Sequence, residues 1–422
     1  MSAAEPKEPG RRHRLTRFLL RTAVTTALVL GTTGVAAPAQ AGPAGTVHSI
    51  PVPGDDPLNR ALPPRATESF SMVGVTWDDP HAALTGTAEV RTRSRDTGEW
   101  SPWRALDTDV RTPETGPDHD GAGVRGGTQP LWTGPSDGVQ VRVTGTRLPT
   151  GLRVELVDPD GGTGTATTGT GTGDTTDTPA TAAPAMGTPA TGPATAPLPA
   201  VTPRYGWGAD ESLVKNPPTY TTDTKAIFVH HTAGTNTYTC AESASIVRGI
   251  FLYHVQSNGW NDIGYHFLVD KCGTVFEGRA GGIDRPVLGA HTYGFNTDTS
   301  SVSVLGDYTT ATTTAAVREA VAHVAAWKLG LYGIGPTGTV LLTAGADNGM
   351  FTAGQKVTLN RVSGHRDGYP TMCPGTHLYA DLPAIRALAG NAGTAAAAGS
   401  DLTGDGRADL GVGPYAGEVP LP

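Results

Sequence analysis

His365 and Cys373 stand eight residues apart in the stretch GHRDGYPTMCPG (364–375), a loop punctuated by Pro and Gly. Imidazole nitrogen and thiolate sulfur are preferred donors to a tetrahedral zinc ion, at about 2.0–2.1 and 2.3 Å respectively. Two donors do not make a site, so a third has to come from elsewhere in the chain. The candidates are His230 and His231, which end the apolar run AIFVHH. A strand end places a side chain at the rim of a sheet, where a loop can close over it. Strand alternation sends the two imidazoles to opposite faces, so only one of them joins His365 and Cys373. Two His and one Cys leave a fourth position for water, which is the arrangement of a catalytic rather than a structural zinc. The competing reading is that these residues only pack or cap loops.

The elements that must position these groups lie between residues 204 and 390, where strand and helix patterns alternate. KAIFVHH (225–231) reads as a strand, GYHFLVDKCGTVFEG (264–278) as a hairpin and SVSVLGDY (301–308) as another strand. AESASIVRGIFLYHVQSNG (241–259) reads as a helix with Ile246, Ile250 and Tyr253 on one stripe and an Asn-Gly stop. The clearest helix is 312–333, with Val317, Val321, Val324 and Leu331 at helical spacing and Thr at its start. A last helix carries Leu378, Leu382 and Ile385. The expected class is mixed α/β, a central mixed β-sheet with flanking helices. Residues 333–358 interrupt this pattern as a strand-forming excursion beside the rim of the site.

The rest of the chain differs in composition. Residues 46–160 carry short alternating segments between turn-rich spacers, such as VQVRVTG (139–145) and GLRVELV (151–157). They predict a small all-β, sandwich-like accessory domain. Its Trp77, Trp100, Trp103 and Trp132 invite a sugar-binding reading, but core packing is the preferred one. Residues 161–202 are Thr/Gly/Ala/Pro low complexity, which cannot bury enough apolar surface to offset its conformational entropy. As a flexible tether it would span about 35 Å.

The N-terminus reads as a signal peptide over residues 1–41. GRRHRLTRFLLR is basic, Thr22 to Ala37 is modestly apolar, and AQAG offers a small-x-small cleavage site after Ala41. The expectation is a secreted, extracellular protein associated with the cell wall, with no membrane span. Residues 1–41 hold six Lys/Arg and two Glu, so their removal takes the net charge from −8 to −12. Nucleic acid and anionic membrane surfaces are poor partners for such a chain.

Four ordered stretches, IFVHHTAG, GWNDIGYHFLVDKCGTVFEGR, GAHTYGFN and GHRDGYPTMCPG, resemble the peptidoglycan recognition protein family, which includes the type 2 N-acetylmuramoyl-L-alanine amidases. The resemblance covers roughly residues 204–390. It implies zinc held by His230, His365 and Cys373, with His231 on the opposite face. It also implies two catalytic helpers, Tyr265 in the GYxF position and Thr371 two residues before the ligand Cys. Members without activity typically lack that Cys, and this chain keeps it. The implied reaction is zinc-dependent hydrolysis of the amide between N-acetylmuramic acid and L-alanine in peptidoglycan. His291 would line the substrate groove, and Arg279 would bind a muropeptide carboxylate unless a local salt bridge holds it. The expected partner is peptidoglycan, met by a monomer. Two rival readings are a peptidoglycan-binding module without turnover and a zinc endopeptidase, although no HExxH helix supports the latter.

With Cys373 assigned to the metal, Cys240 and Cys272 are left to pair, as an exported chain permits. The bond would staple the start of the first helix to the hairpin. Residues 400–422 resemble the calcium loop of an FG-GAP-type propeller repeat, with Asp401, Asp405 and Asp409 at oxygen-ligand positions and Gly406 at the turn. Thr403 replaces the expected Asn or Asp, and one partial repeat cannot bury a blade. Either the natural chain continues or this is a solvated acidic tail.

Overall fold

The computed structural model describes residues 45–119, 121, 123–161 and 196–400, with side chains to 392. The N-terminal segment read as a signal, most of the low-complexity stretch, and Asp401, Asp405 and Asp409 lie outside the described residues.

The accessory domain is all β. Its strands are β1 (Thr46–Pro51), β2 (Asn59–Trp77), β3 (Gly86–Ser94), β4 (Arg104–Leu106), β5 (Gly126–Gly127), β6 (Leu131–Gly145) and β7 (Arg153–Asp158). They pair antiparallel in the order β1-β7-β2-β6-β3-β4, with β5 beside β2. The expected strand faces hold, since Val139, Val141, Val143, Val154 and Leu156 are all buried. The hydrogen bonding is one continuous seven-stranded sheet. β2 runs 19 residues, and its register against β6 shifts three times. Such irregularities bend a strand and increase its twist. Trp77 and Trp132 are core residues. Trp103 lies under the Arg142 guanidinium at 4.3 Å and shares Arg91 with Trp100.

The second domain is the expected mixed α/β unit. Its sheet comprises β8 (Val201–Thr202), β9 (Ala226–His231), β10 (Phe267–Val269), β11 (Val275–Glu277), β12 (Thr299–Val304) and, beyond the excursion, β15 (Val362–Gly364), in the order β15-β9-β12-β10-β11-β8. Only the β10–β11 hairpin is antiparallel. The excursion forms its own hairpin, β13 (Thr339–Thr343) with β14 (Lys356–Asn360). α1 (Ser243–Leu252) covers one face of the main sheet. α2 (Ala315–Gly330) and α4 (Thr376–Ser400) cover the other. α2 begins where Thr314 accepts a hydrogen bond from Val317 N, the side-chain cap expected of Thr at a helix start. The one-turn α3 (His365–Gly368) follows β15 directly. The low-complexity interval is shorter than its composition indicates. Ala196 is buried in the α/β core and Val201–Thr202 pair with β11, because an extended Pro-rich strand can still add to a free sheet edge.

The two domains share a core. Met72, Trp132 and Val157 from the β-rich domain join Ile246, Ile250, Phe251 and Tyr253 in one apolar cluster. Gly74 makes this approach feasible, since a Cβ there would sit 2.4 Å from the Tyr253 ring. Arg248 extends the contact by donating to Pro159 O at 2.7 Å and pairing with Asp160. The intervening stretch therefore joins two bodies that are packed together. No helix among the described residues is long and apolar enough to cross a membrane.

Cys240 and Cys272 form the expected disulfide, with Cα atoms 6.4 Å apart. It ties the turn before α1 to the β10–β11 turn, which Asp270 organises by accepting from Cys272 N and Thr274 N. Closing a loop of 32 residues removes denatured-state entropy. The double variant Cys240→Ser/Cys272→Ser is expected to lose about 3–4 kcal/mol of stability, read from denaturant midpoints. An unchanged midpoint would mean that the bond does not constrain the unfolded chain.

Candidate metal centre

β9 delivers His230 and His231 to the C-terminal edge of the sheet, where β15 and α3 bring His365 alongside. The capping arrangement at α3 is local, with Asp367 accepting from Gly364 N at 2.9 Å and from the Tyr379 hydroxyl at 2.6 Å. The loop after α3 folds back so that Arg366 N donates to Cys373 O at 3.0 Å. The result is a cluster in which one ligand atom each of His230, His365 and Cys373 lie within 4.8 Å of one another. Cys373 Sγ is 3.8 Å from His230 Nδ1, and the His230 and His365 rings are 4.4 Å apart. Two donors on one tetrahedral zinc, with bonds of 2.3 and 2.1 Å, would be separated by roughly 3.6 Å. The other nitrogen of His230, Nε2, lies 3.4 Å from the Thr292 hydroxyl, the outer hydrogen bond that orients a ligating imidazole.

The electrostatics suit a cation site. Burial pushes His230 well below the ordinary imidazole value, helped by the neighbouring His365. Burial also takes His365 down to about 3. Both rings are therefore neutral, which is the form that can ligate a metal. Burial pushes the Cys373 thiol up, and a metal dication would reverse that shift by stabilising the thiolate. The donor set and its spacing fit zinc.

His231 takes the opposite face, as alternation requires. Its Nδ1 accepts from Tyr308 N at 3.1 Å and lies 3.7 Å from Asp307. His231→Ala is expected to keep the full zinc content while losing about 1–3 kcal/mol, because Tyr308 N–H is left without its acceptor. Metal analysis alongside a thermal melt checks this, and zinc loss would reassign the ligand set.

Tyr265 stands at the cluster, its ring 5.3 Å from that of His230. Burial raises its phenol. His291 is also brought in, 5.4 Å from His230, with Nδ1 3.0 Å from the Thr292 hydroxyl and Nε2 without a protein partner. Thr371 sits in the Cys373 loop, where its hydroxyl accepts from Cys373 N at 3.1 Å. Arg279 does form a salt bridge, but with a distant residue: its guanidinium pairs with Asp118 of the β-rich domain, and both side chains are buried.

Several residues at the site escaped the sequence reading. Gln129 donates from Nε2 to Tyr265 Oη at 2.9 Å. Asp109, Val110 and Arg111 wall a cavity beside Tyr265 and His365 whose volume is only about 20 Å³. Trp260, within the GWND stretch, forms part of the floor. Of these only Trp260 belongs to one of the four family-like motifs. The others come from the accessory domain, and their signal was at most the acidic run DTDVRTPETGPDH.

Both domains of the chain resemble known proteins. Residues 220–376 match the family model described as N-acetylmuramoyl-L-alanine amidase, and residues 36–191 match one described as Rv3811 N-terminal galactose-binding domain-like. The chain is 32% identical over 154 residues to peptidoglycan-recognition protein SC2 of Drosophila simulans, covering 36% of this chain and 70% of that protein. It is 31% identical over 154 residues to peptidoglycan recognition protein 1 of Bos taurus, covering 36% and 67%. Among solved structures, human PGRP-IBETAC in complex with glycosamyl muramyl pentapeptide is 25% identical, covering 44% of this chain and 95% of that chain with a TM-score of 0.35. With its four motifs on one α/β unit and a relative 32% identical over 70% of that protein's length, the chain belongs to the peptidoglycan recognition protein and type 2 amidase family.

Proposed function

We propose that this protein is a secreted, zinc-dependent N-acetylmuramoyl-L-alanine amidase, cutting the amide between the lactyl group of N-acetylmuramic acid and L-alanine. The observation that carries the reading is the convergence of His230, His365 and Cys373 within 4.8 Å. When bound, zinc lowers the pKa of water towards ~7 and polarises a carbonyl. The remaining work falls to the chain. Tyr265 Oη, beside His230, is placed to orient the attacking water. His291 Nε2, free of protein partners, is placed to hydrogen-bond the reacting group. Thr371 holds the Cys373 turn through the amide of the ligand itself, so its role is to position that ligand. Export agrees with the disulfide, since cytosolic thiols are kept reduced.

The test is product analysis of purified peptidoglycan digested by zinc-loaded protein. The expected products carry new L-alanine amino termini and no new reducing ends. New reducing ends would mean a glycosidase, and termini within the stem peptide a peptidase. Protein that retains cell wall in a pull-down yet releases nothing would leave recognition without turnover.

A further inference from the structure

The His230–His365–Cys373 cluster is closed off. His230 and Cys373 are no more than 5% exposed, His365 is 9% exposed, Tyr265 beside them 4%, and the adjoining space holds about one water molecule. A muramyl amide, flanked by a sugar and a peptide, cannot enter such a space. The cover is the segment Asp107–His119 of the β-rich domain, which carries four carboxylates and one arginine.

Side chains make the hold. Asp118 pairs with Arg279 and accepts from Asn261 N at 2.7 Å. Glu114 accepts from Asn296 N at 3.1 Å and from its Nδ2 at 2.6 Å. Asn296 in turn fixes the loop bearing His291, since its Oδ1 accepts from His291 N and Thr292 N. Val110 rests against Trp260 and Ala290. The fit is incomplete beneath this cover, where Trp260 Nε1 and His291 Nε2 are buried without a protein partner.

We propose that Asp107–His119 is an internal competitor for the substrate cleft: its Glu114 and Asp118 carboxylates hold Asn296 and Arg279 until carboxylate-bearing stem peptides of the wall displace them. The inference rests on the amidase reading for the identity of the displacing ligand. The segment blocks the cleft without touching a metal ligand through either carboxylate. Opening it therefore raises the fraction of binding-competent molecules and leaves the chemistry unchanged.

The test uses the full chain with the isosteric pair Glu114→Gln/Asp118→Asn, and Glu114→Ala alone as a second variant that spares the Asp118–Arg279 pair. Cys373 is the single free thiol among the described residues, so maleimide labelling of zinc-stripped protein reports access to the cleft directly. The double variant is expected to label at least tenfold faster than the native chain, with Glu114→Ala in between. Hydrogen exchange should quicken over 107–119 while α2 stays protected, which shows that the fold persists. With zinc restored, kcat/KM on polymeric peptidoglycan should rise about tenfold, mostly through KM. Equal labelling and equal kcat/KM in all three proteins would overturn the proposal. So would faster exchange accompanied by lower activity, because the segment would then belong to the catalytic surface. If the variants expose Cys373 but neither they nor the native chain releases L-alanine termini, the competitor stands and amide hydrolysis falls.

Discussion

Cys373→Ser and His365→Ala should each reduce bound zinc from about one ion per chain to background and abolish wall hydrolysis. The protein offers three donors, so removing one leaves two, and the serine hydroxyl is a poor substitute for a soft thiolate. The loss is specific to the metal. Serine is nearly isosteric with cysteine, so zinc-free Cys373→Ser should melt close to zinc-free wild type. Elemental analysis after gel filtration, with melts in the presence and absence of a chelator, separates the two effects. Zinc retained at full stoichiometry in Cys373→Ser would place the metal elsewhere, and the amidase reading would lose its centre.

Tyr265→Phe should keep the zinc and lose turnover by on the order of 100-fold, the usual scale for one positioned hydroxyl in acid–base or oxyanion chemistry. The ring would remain against His230 and His254, at 5.3 and 6.0 Å, so packing is conserved. What disappears is the Oη that meets Gln129 Nε2 at 2.9 Å. An effect confined to kcat is expected if the hydroxyl acts on the reacting atoms, whereas an effect confined to KM would mark a binding contact. Full activity in Tyr265→Phe would remove this residue from the mechanism and leave His291 Nε2 as the polar group next to the cluster that could act on the substrate.

Local pattern was enough to place several of the elements around the site. Helical spacing of Val317, Val321 and Val324 set the buried face of α2, and all three are fully buried. Strand alternation separated His230 from His231, and the two do face apart. These properties are legible because a strand has period 2 and a helix period 3.6, whatever lies across from them. The pairing of Cys240 with Cys272 followed from the arithmetic of three cysteines once one was assigned to metal.

Only tertiary structure decided what covers the site. Arg279 reads as a free carboxylate receptor or as half of a local ion pair, yet its partner Asp118 is 161 residues away. Gln129 meets Tyr265 across 136 residues. The low-complexity stretch suggested domains held only by a tether, yet Met72 and Trp132 pack on α1 in a common core. No periodicity encodes such contacts. They depend on complementarity between surfaces that each look complete alone, and on a glycine at position 74 where any side chain would meet the Tyr253 ring.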